Sequence, residues 1–329
     1  MPRPVTLVSA QWADLPFETL CAKVSHYGFD GIELACLGDH LDVRAAANDV
    51  SYVESKKAIL NRYGLKTWAI AAHLVGQCVG DPWDPRIDNF VPPNMRGKPD
   101  AIVEWAIEEM KQVAIAAKAM GCSIVTCFMG SPIWRYWYSF PPTSEEMIRQ
   151  GYAEIVKRWT PIFDVFDEHG IRFALEVHPT EIAFDYYSAV RLLEEFKWRK
   201  TLGFNFDPSH LLWQGIKPEL FVRDFGDRIF HVHMKDVALN QDGRAGILGS
   251  HLPFGDLRRG WNFRSIGHGD VDFEAIMREL NAIGYSGPLS VEWEDSGMDR
   301  DYGAQESLKY VRKIDFPRSQ IAFDASMKK

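Results

Sequence analysis

Eight short apolar or β-branched runs punctuate the chain: PVTLVSA from Pro4, GIELA from Gly31, KTWAIAAH from Lys66, SIVTCFMG from Ser123, IRFALEVH from Ile171, LGFNFD from Leu202, RIFHVHMKD from Arg228 and PLSVEWED from Pro288. Each has the length of a buried strand. The longer stretches between them repeat apolar residues at intervals of three and four, the period of an amphipathic helix. One such stretch, DAIVEWAIEEMKQVAIAAKAMG, stops at Gly121, and Gly is a natural helix terminator. Another, SEEMIRQGYAEIVKRWTPIFDVFDEHG, opens with Ser144 and two acids in N-cap order, and Pro161 inside it predicts a kink or a division.

Strands alternating with helices predict a parallel sheet joined by helical crossovers, and eight alternations suffice to close it into a barrel. An open doubly wound sheet generally uses fewer strands, and no Gly-x-Gly-x-x-Gly loop follows the first one. The expected architecture is an α/β fold, a single-domain (β/α)8 TIM barrel over residues 1–329. Three connections, about residues 74–98, 130–143 and 237–270, are too long for turns. All three leave the C-terminal ends of strands, the rim where barrel enzymes carry their sites.

Composition narrows the partners. With 46% hydrophobic and 25% charged residues the chain can bury a sizeable core, and a net charge of -8 repels a long polyanion such as duplex DNA. Cys21, Cys36, Cys78, Cys122 and Cys127 form no C-x-x-C pair and are odd in number, which suits reduced core thiols of a cytoplasmic protein. The opening MPRPVTLVSAQ turns polar too soon for a signal peptide, and no apolar run approaches the roughly 20 residues that span a bilayer. A cytoplasmic location with neither nucleic-acid nor membrane partner is expected.

Four strand ends in the second half finish in residues that bind cations: Glu176 in LEVHP, Asp207 in NFDPSH, His233 in HVHMKD and Glu292 in SVEWED. An acid ending one strand is ordinarily a solvated cap, but in a parallel barrel four such ends converge on one rim. Three carboxylates and one imidazole suit Mn²⁺, Mg²⁺, Co²⁺ or Zn²⁺ with positions left for substrate oxygens. Strand alternation puts Glu176 with His178, and His231 with His233 and Lys235, on the inner side. His178, His210 and Lys235 are therefore candidates for substrate contact or proton transfer. His231 is either a deeper supporting group or a satisfied core histidine. Glu33, Asp39, His40 and His73, at the ends of strands two and three, are further rim candidates, with Glu33 and His73 ahead as substrate contacts. The loop SPIWRYWYSFPP carries five aromatics, so Trp134 and its neighbours would stack on a sugar or form a subunit contact.

Taken in order, GFDGIELA, EVHPTEIAFD, GFNFDPSHLLWQG, HVHMKD, GHGDVDF and GPLSVEWEDSGMDR give a chain that resembles the xylose isomerase-like sugar phosphate isomerases and epimerases. The resemblance implies one divalent ion, often Mn²⁺, on Glu176, Asp207, His233 and Glu292. It also implies that Glu176 and Glu292 move protons on either side of a sugar carbon next to a carbonyl. The loop NQDGRAGILGSHLPFGDLRRGW and the added His178 depart from the short epimerases. They are similar to features of the larger catalytic subunits of C-glycoside deglycosidases, lyases that act on 3-oxo-glycosides with His178 in the position of a base and associate with a small second subunit. The expected partners are thus a small sugar or glycoside and either further copies of the chain or such a subunit. Two other readings remain at this point: a zinc phosphodiesterase resembling endonuclease IV, and a binding-only sugar or metal sensor.

Overall fold

A computed structural model describes residues 2–327, and in it the eight expected runs become strands β1 (Val5–Val8), β2 (Gly31–Ala35), β3 (Ala69–Ala71), β4 (Ile124–Cys127), β5 (Arg172–Glu176), β6 (Leu202–Phe206), β7 (Ile229–Met234) and, after a two-stranded insertion, β10 (Leu289–Val291). Every pairing between them is parallel, and β1 closes on both β2 and β10. The result is the closed (β/α)8 barrel that the alternation predicts. Strands covered by helices outside and by each other's side chains inside are buried on both faces, which is why they read as near-continuous apolar runs. The insertion is an antiparallel hairpin, β8 (Asp236–Leu239) with β9 (Trp261–Arg264), standing on the C-terminal rim.

The helix Pro99–Met120 ends at Gly121, whose φ of 83° is the left-handed conformation that glycine adopts without strain. Ser144 caps the helix Glu145–His169 by accepting from the Met147 amide at 3.2 Å. Of the two outcomes the sequence allows at Pro161, division does not occur, and the helix runs through it. Its ring lies on the exposed side, where water can satisfy the carbonyl it leaves free, while Trp159, Ile162, Phe163 and Phe166 on the opposite side are buried. Burying that face outweighs the roughly 3 kcal/mol that an internal proline costs.

The long connections after the third, fourth and seventh strands do rise from the C-terminal rim. The first holds the helix His73–Gly80, the second a short 3-10 turn at Trp134–Tyr136, and the third the hairpin. All five cysteines are free thiols, four of them buried and Cys36 half-buried. Among the described residues no helix is long and apolar enough to cross a membrane.

The Phe163 ring lies 5.2 Å from that of Phe173 on β5 and 5.1 Å from that of Phe196, tying this helix to the barrel wall. Phe163→Ala is expected to destabilise the fold by about 3–5 kcal/mol, read as a lowered urea midpoint at unchanged slope. A loss under about 1 kcal/mol would contradict this account of the wall.

Candidate functional site

Glu176 is the last residue of β5, Asp207 the first beyond β6, His233 the penultimate residue of β7 and Glu292 the first beyond β10. Their ligand atoms all lie within 4.8 Å of one another. The register brings this about, since Glu176 stands opposite Asn205 and His233 opposite Ser290, leaving Asp207 and Glu292 one step higher on the same rim. Asp207 also caps the short helix Pro208–Leu212, so Oδ1 accepts from the Ser209 amide at 2.8 Å and Oδ2 faces the cluster.

Both glutamates accept side-chain hydrogen bonds as well. Asn205 Nδ2 donates to Glu176 Oε2 at 2.9 Å, Lys235 Nζ to Glu292 Oε2 at 2.8 Å and Gln11 Nε2 to Glu292 Oε1 at 3.3 Å. His233 Nδ1 sits 3.2 Å from Glu176 Oε2 and 3.3 Å from Glu292 Oε2, is buried, and makes no hydrogen bond of sound geometry. Its other nitrogen, Nε2, faces Glu33 at 3.1 and 3.2 Å. An unpartnered ring nitrogen among three carboxylates is a place for a cation, and this donor set fits a divalent ion.

Above these four lies a chamber of about 260 Å³ lined by Gln11, His73, Phe128, His178, His210 and Lys235 together with Glu176, Glu292 and Glu294. His73 Nε2 stands 3.2 Å from Glu176 Oε2, and His210 Nε2 stands 3.3 Å from Glu176 Oε1 and 3.4 Å from Asp207 Oδ2. The His178 ring is wedged between Phe128, 4.8 Å away, and His210, 4.1 Å away, with Nδ1 against the Pro179 carbonyl. Phe263, from the hairpin, closes over His210 at 5.3 Å and over Lys235 Nζ at 4.7 Å.

The charges explain one another. Burial alone would favour protonated carboxyls and neutral bases, yet His210, His233 and His73 hold Glu176 well below the usual carboxylate range, and Lys235 does the same for Glu292. Burial likewise opposes charge on His233, but Glu33 and Glu292 raise its pKa well above the usual imidazole value. Burial, then the charge of its neighbours, pushes His178 down to about 3 and His210 down to about 4, so both are neutral. Glu294 goes the other way, to about 7, because it is desolvated beside Glu292.

The structure relocates several residues expected at the rim. Glu33 is not a substrate contact: it is 1% exposed and lies one layer beneath the cluster, bonded to His231 at 2.8 Å, to Ser290 Oγ at 2.6 Å and to Thr126 Oγ1 at 2.5 Å. His40 is buried against Phe17 and faces the Leu15 carbonyl, while Asp39 caps the Phe17 amide, so both serve the first helix. Asp236, the residue after Lys235 and not among those candidates, turns away from the chamber and gathers the amides of Gly267, Gly269 and Val271. Trp134 lies outside the chamber in a neighbouring cleft of about 560 Å³, which reaches the chamber's outer wall at Phe128 and His178. His231 takes the deep supporting position.

Glu294, Asn205 and Gln11 escaped the sequence reading. Two of them carried a signal, because Glu294 and Asn205 lie two residues from Glu292 and Asp207 and so share their faces. Gln11, in the loop after β1, carried none.

Residues 21–314 match the family model described as xylose isomerase-like TIM barrel. Over 94% of this chain and 98% of its own length, the uncharacterized protein YfiH of Bacillus subtilis is 23% identical. An inosose dehydratase of Clostridium beijerinckii is 30% identical over a stretch covering 33% of this chain and 36% of the dehydratase. Among solved structures, the 3-keto-D-glucoside 4-epimerase YcjR of E. coli superposes with a TM-score of 0.66 at 15% identity, covering 94% of this chain and 99% of that one. Barrel closure, the motif order and a family match over most of its length agree, and the chain belongs to the xylose isomerase-like TIM barrel family.

Proposed function

We propose that the protein is a divalent-metal-dependent enzyme that removes a proton next to the carbonyl of a keto-sugar, with Glu176 and Glu292 taking and returning it. The observation that carries this reading is the convergence of Glu176, Asp207, His233 and Glu292 at the floor of a chamber with room for one sugar ring. A divalent ion held by those four, Mn²⁺ for preference, would polarise the carbonyl and offset the negative charge that builds on its oxygen as the proton leaves. Asn205 fixes Glu176, and Lys235 with Gln11 fixes Glu292, so each glutamate keeps one direction in the cluster. His73, His210 and Lys235 line the space where sugar hydroxyls would lie and supply polar contacts to them. Returning the proton to the opposite face yields an epimer, and returning it to the adjoining carbon yields an isomer.

His178 favours a second outcome from the same site. Its Nδ1 proton is directed at the Pro179 carbonyl, so the neutral ring keeps an Nε2 lone pair and can act as a further base. A group on the carbon next to the carbanion would then depart, releasing water from a hydroxylated ring or the aglycone from a 3-oxo-glycoside. Relatives named as a dehydratase and as a keto-glucoside epimerase make both outcomes natural for this barrel.

Three measurements test the proposal. Dialysis against a chelator is expected to abolish keto-sugar turnover and Mn²⁺ to restore it; full turnover in protein shown by mass spectrometry to be metal-free sinks the mechanism. Glu176→Gln and Glu292→Gln, compared at equal metal content, should each slow exchange of the substrate C–H with heavy water by about 10²- to 10⁴-fold. Exchange at the wild-type rate in both removes them as bases. His178→Ala should suppress elimination by a similar factor of about 10² or more while leaving epimer formation the faster reaction, and equal losses in both would show no separate role for this ring.

A further inference from the structure

Beneath the cluster lies a polar group that the proposed chemistry does not use. Glu33, His231, Thr126 and Ser290 come from four different strands, are at most 1% exposed, and meet in the barrel interior. Four side chains converge on the single Glu33 carboxylate: His231 Nε2 at 2.8 Å, His233 Nε2 at 3.1 and 3.2 Å, Ser290 Oγ at 2.6 Å and Thr126 Oγ1 at 2.5 Å. An ionised carboxylate only accepts hydrogen bonds, so with four donors upon it each neighbour must donate. His233 therefore keeps a proton on Nε2, and Nδ1 is the nitrogen turned toward Glu176 and Glu292, whose lone pair would be given to a cation that takes the place of any proton there.

Glu33, His231 and His233 could on composition hold an ion of their own. The geometry argues against it. His233 is common to both groups, the Glu33 oxygens are already occupied by two hydroxyls, and no chamber residue reaches this depth. A buried carboxylate saturated by donors is instead a fixed point against which a ring can be set.

We propose that Glu33 is a positioning residue: it locks the tautomer and the ring plane of His233 so that Nδ1 is presented to a divalent ion, with Thr126, Ser290 and His231 keeping the carboxylate in place. The assignment rests on the metal-site reading above, and it adds a residue that touches neither ion nor substrate. Outer partners of this kind are generally worth about 10- to 100-fold in metal affinity.

The test is titration calorimetry of the full-length protein with Mn²⁺, joined to ¹⁵N-histidine NMR of the wild type loaded with diamagnetic Mg²⁺. Glu33→Gln should weaken Mn²⁺ binding by about 10- to 100-fold, and Ser290→Ala, which loosens only the anchor, by less but in the same direction. The spectrum should show His233 protonated on Nε2 and bare on Nδ1. Mn²⁺ bound by a folded Glu33→Gln variant as tightly as by wild type overturns the inference, and so does a wild-type spectrum with the proton on Nδ1, which decides the matter even if the variant fails to fold. A wild type that binds no divalent ion overturns the parent reading as well, whereas wild-type binding with no effect of Glu33→Gln overturns this assignment alone.

Discussion

The rim of this barrel is organised around an excess of negative charge gathered where water is scarce. Glu176, Asp207 and Glu292 meet within ligand distance, Glu294 stands beside them, and Glu33 lies directly below. Charges that close in a medium of low dielectric are tolerable only with cations among them. Lys235 answers part of the demand, lying 3.1 Å from Asp207 Oδ2, 2.8 Å from Glu292 Oε2 and 3.3 Å from Glu294 Oε2. His233 answers more, at the centre of the arrangement. The upward pull on its pKa and the space between its Nδ1 and two carboxylates express the same unmet requirement for positive charge.

That requirement makes sense of the shell around it. Asn205, Gln11 and the Ser209 amide each donate to one of these carboxylates, which fixes its orientation in the cluster. Neutral His178 and His210, kept uncharged by burial and by neighbouring positive charge, line the chamber without adding to the field.

Much of this was legible in the sequence, for reasons that also set the limit. The eight strands stand out because both of their faces are buried, and the converging Glu176, Asp207, His233 and Glu292 because strand ends of a parallel barrel share a rim. Glu33 shows where legibility stops. Its place in GIELA suggested the rim, but the stagger of the strands sets it opposite Val8 and one layer down, and stagger leaves no trace in a hydrophobic pattern. Trp134 was misplaced for a different reason, since a loop's path depends on contacts such as the 5.2 Å approach of Trp134 to Phe184, which no periodicity encodes. Pro161 belongs to the cases in which tertiary burial overrides a local signal.

The hairpin of β8 and β9 leaves and rejoins the barrel at almost one point, pinched together where Asp236 collects the amides of Gly267 and Gly269. From that stalk it is steadied by Trp261, which stacks on Trp213 at 4.5 Å, and it packs Phe263 against His210 and Lys235 behind the chamber wall. None of Glu176, Asp207, His233 and Glu292 belongs to it. Evolution, or an engineer, can therefore recut this arm and change what backs His210 and Lys235 while the four converging side chains stay where the strands put them.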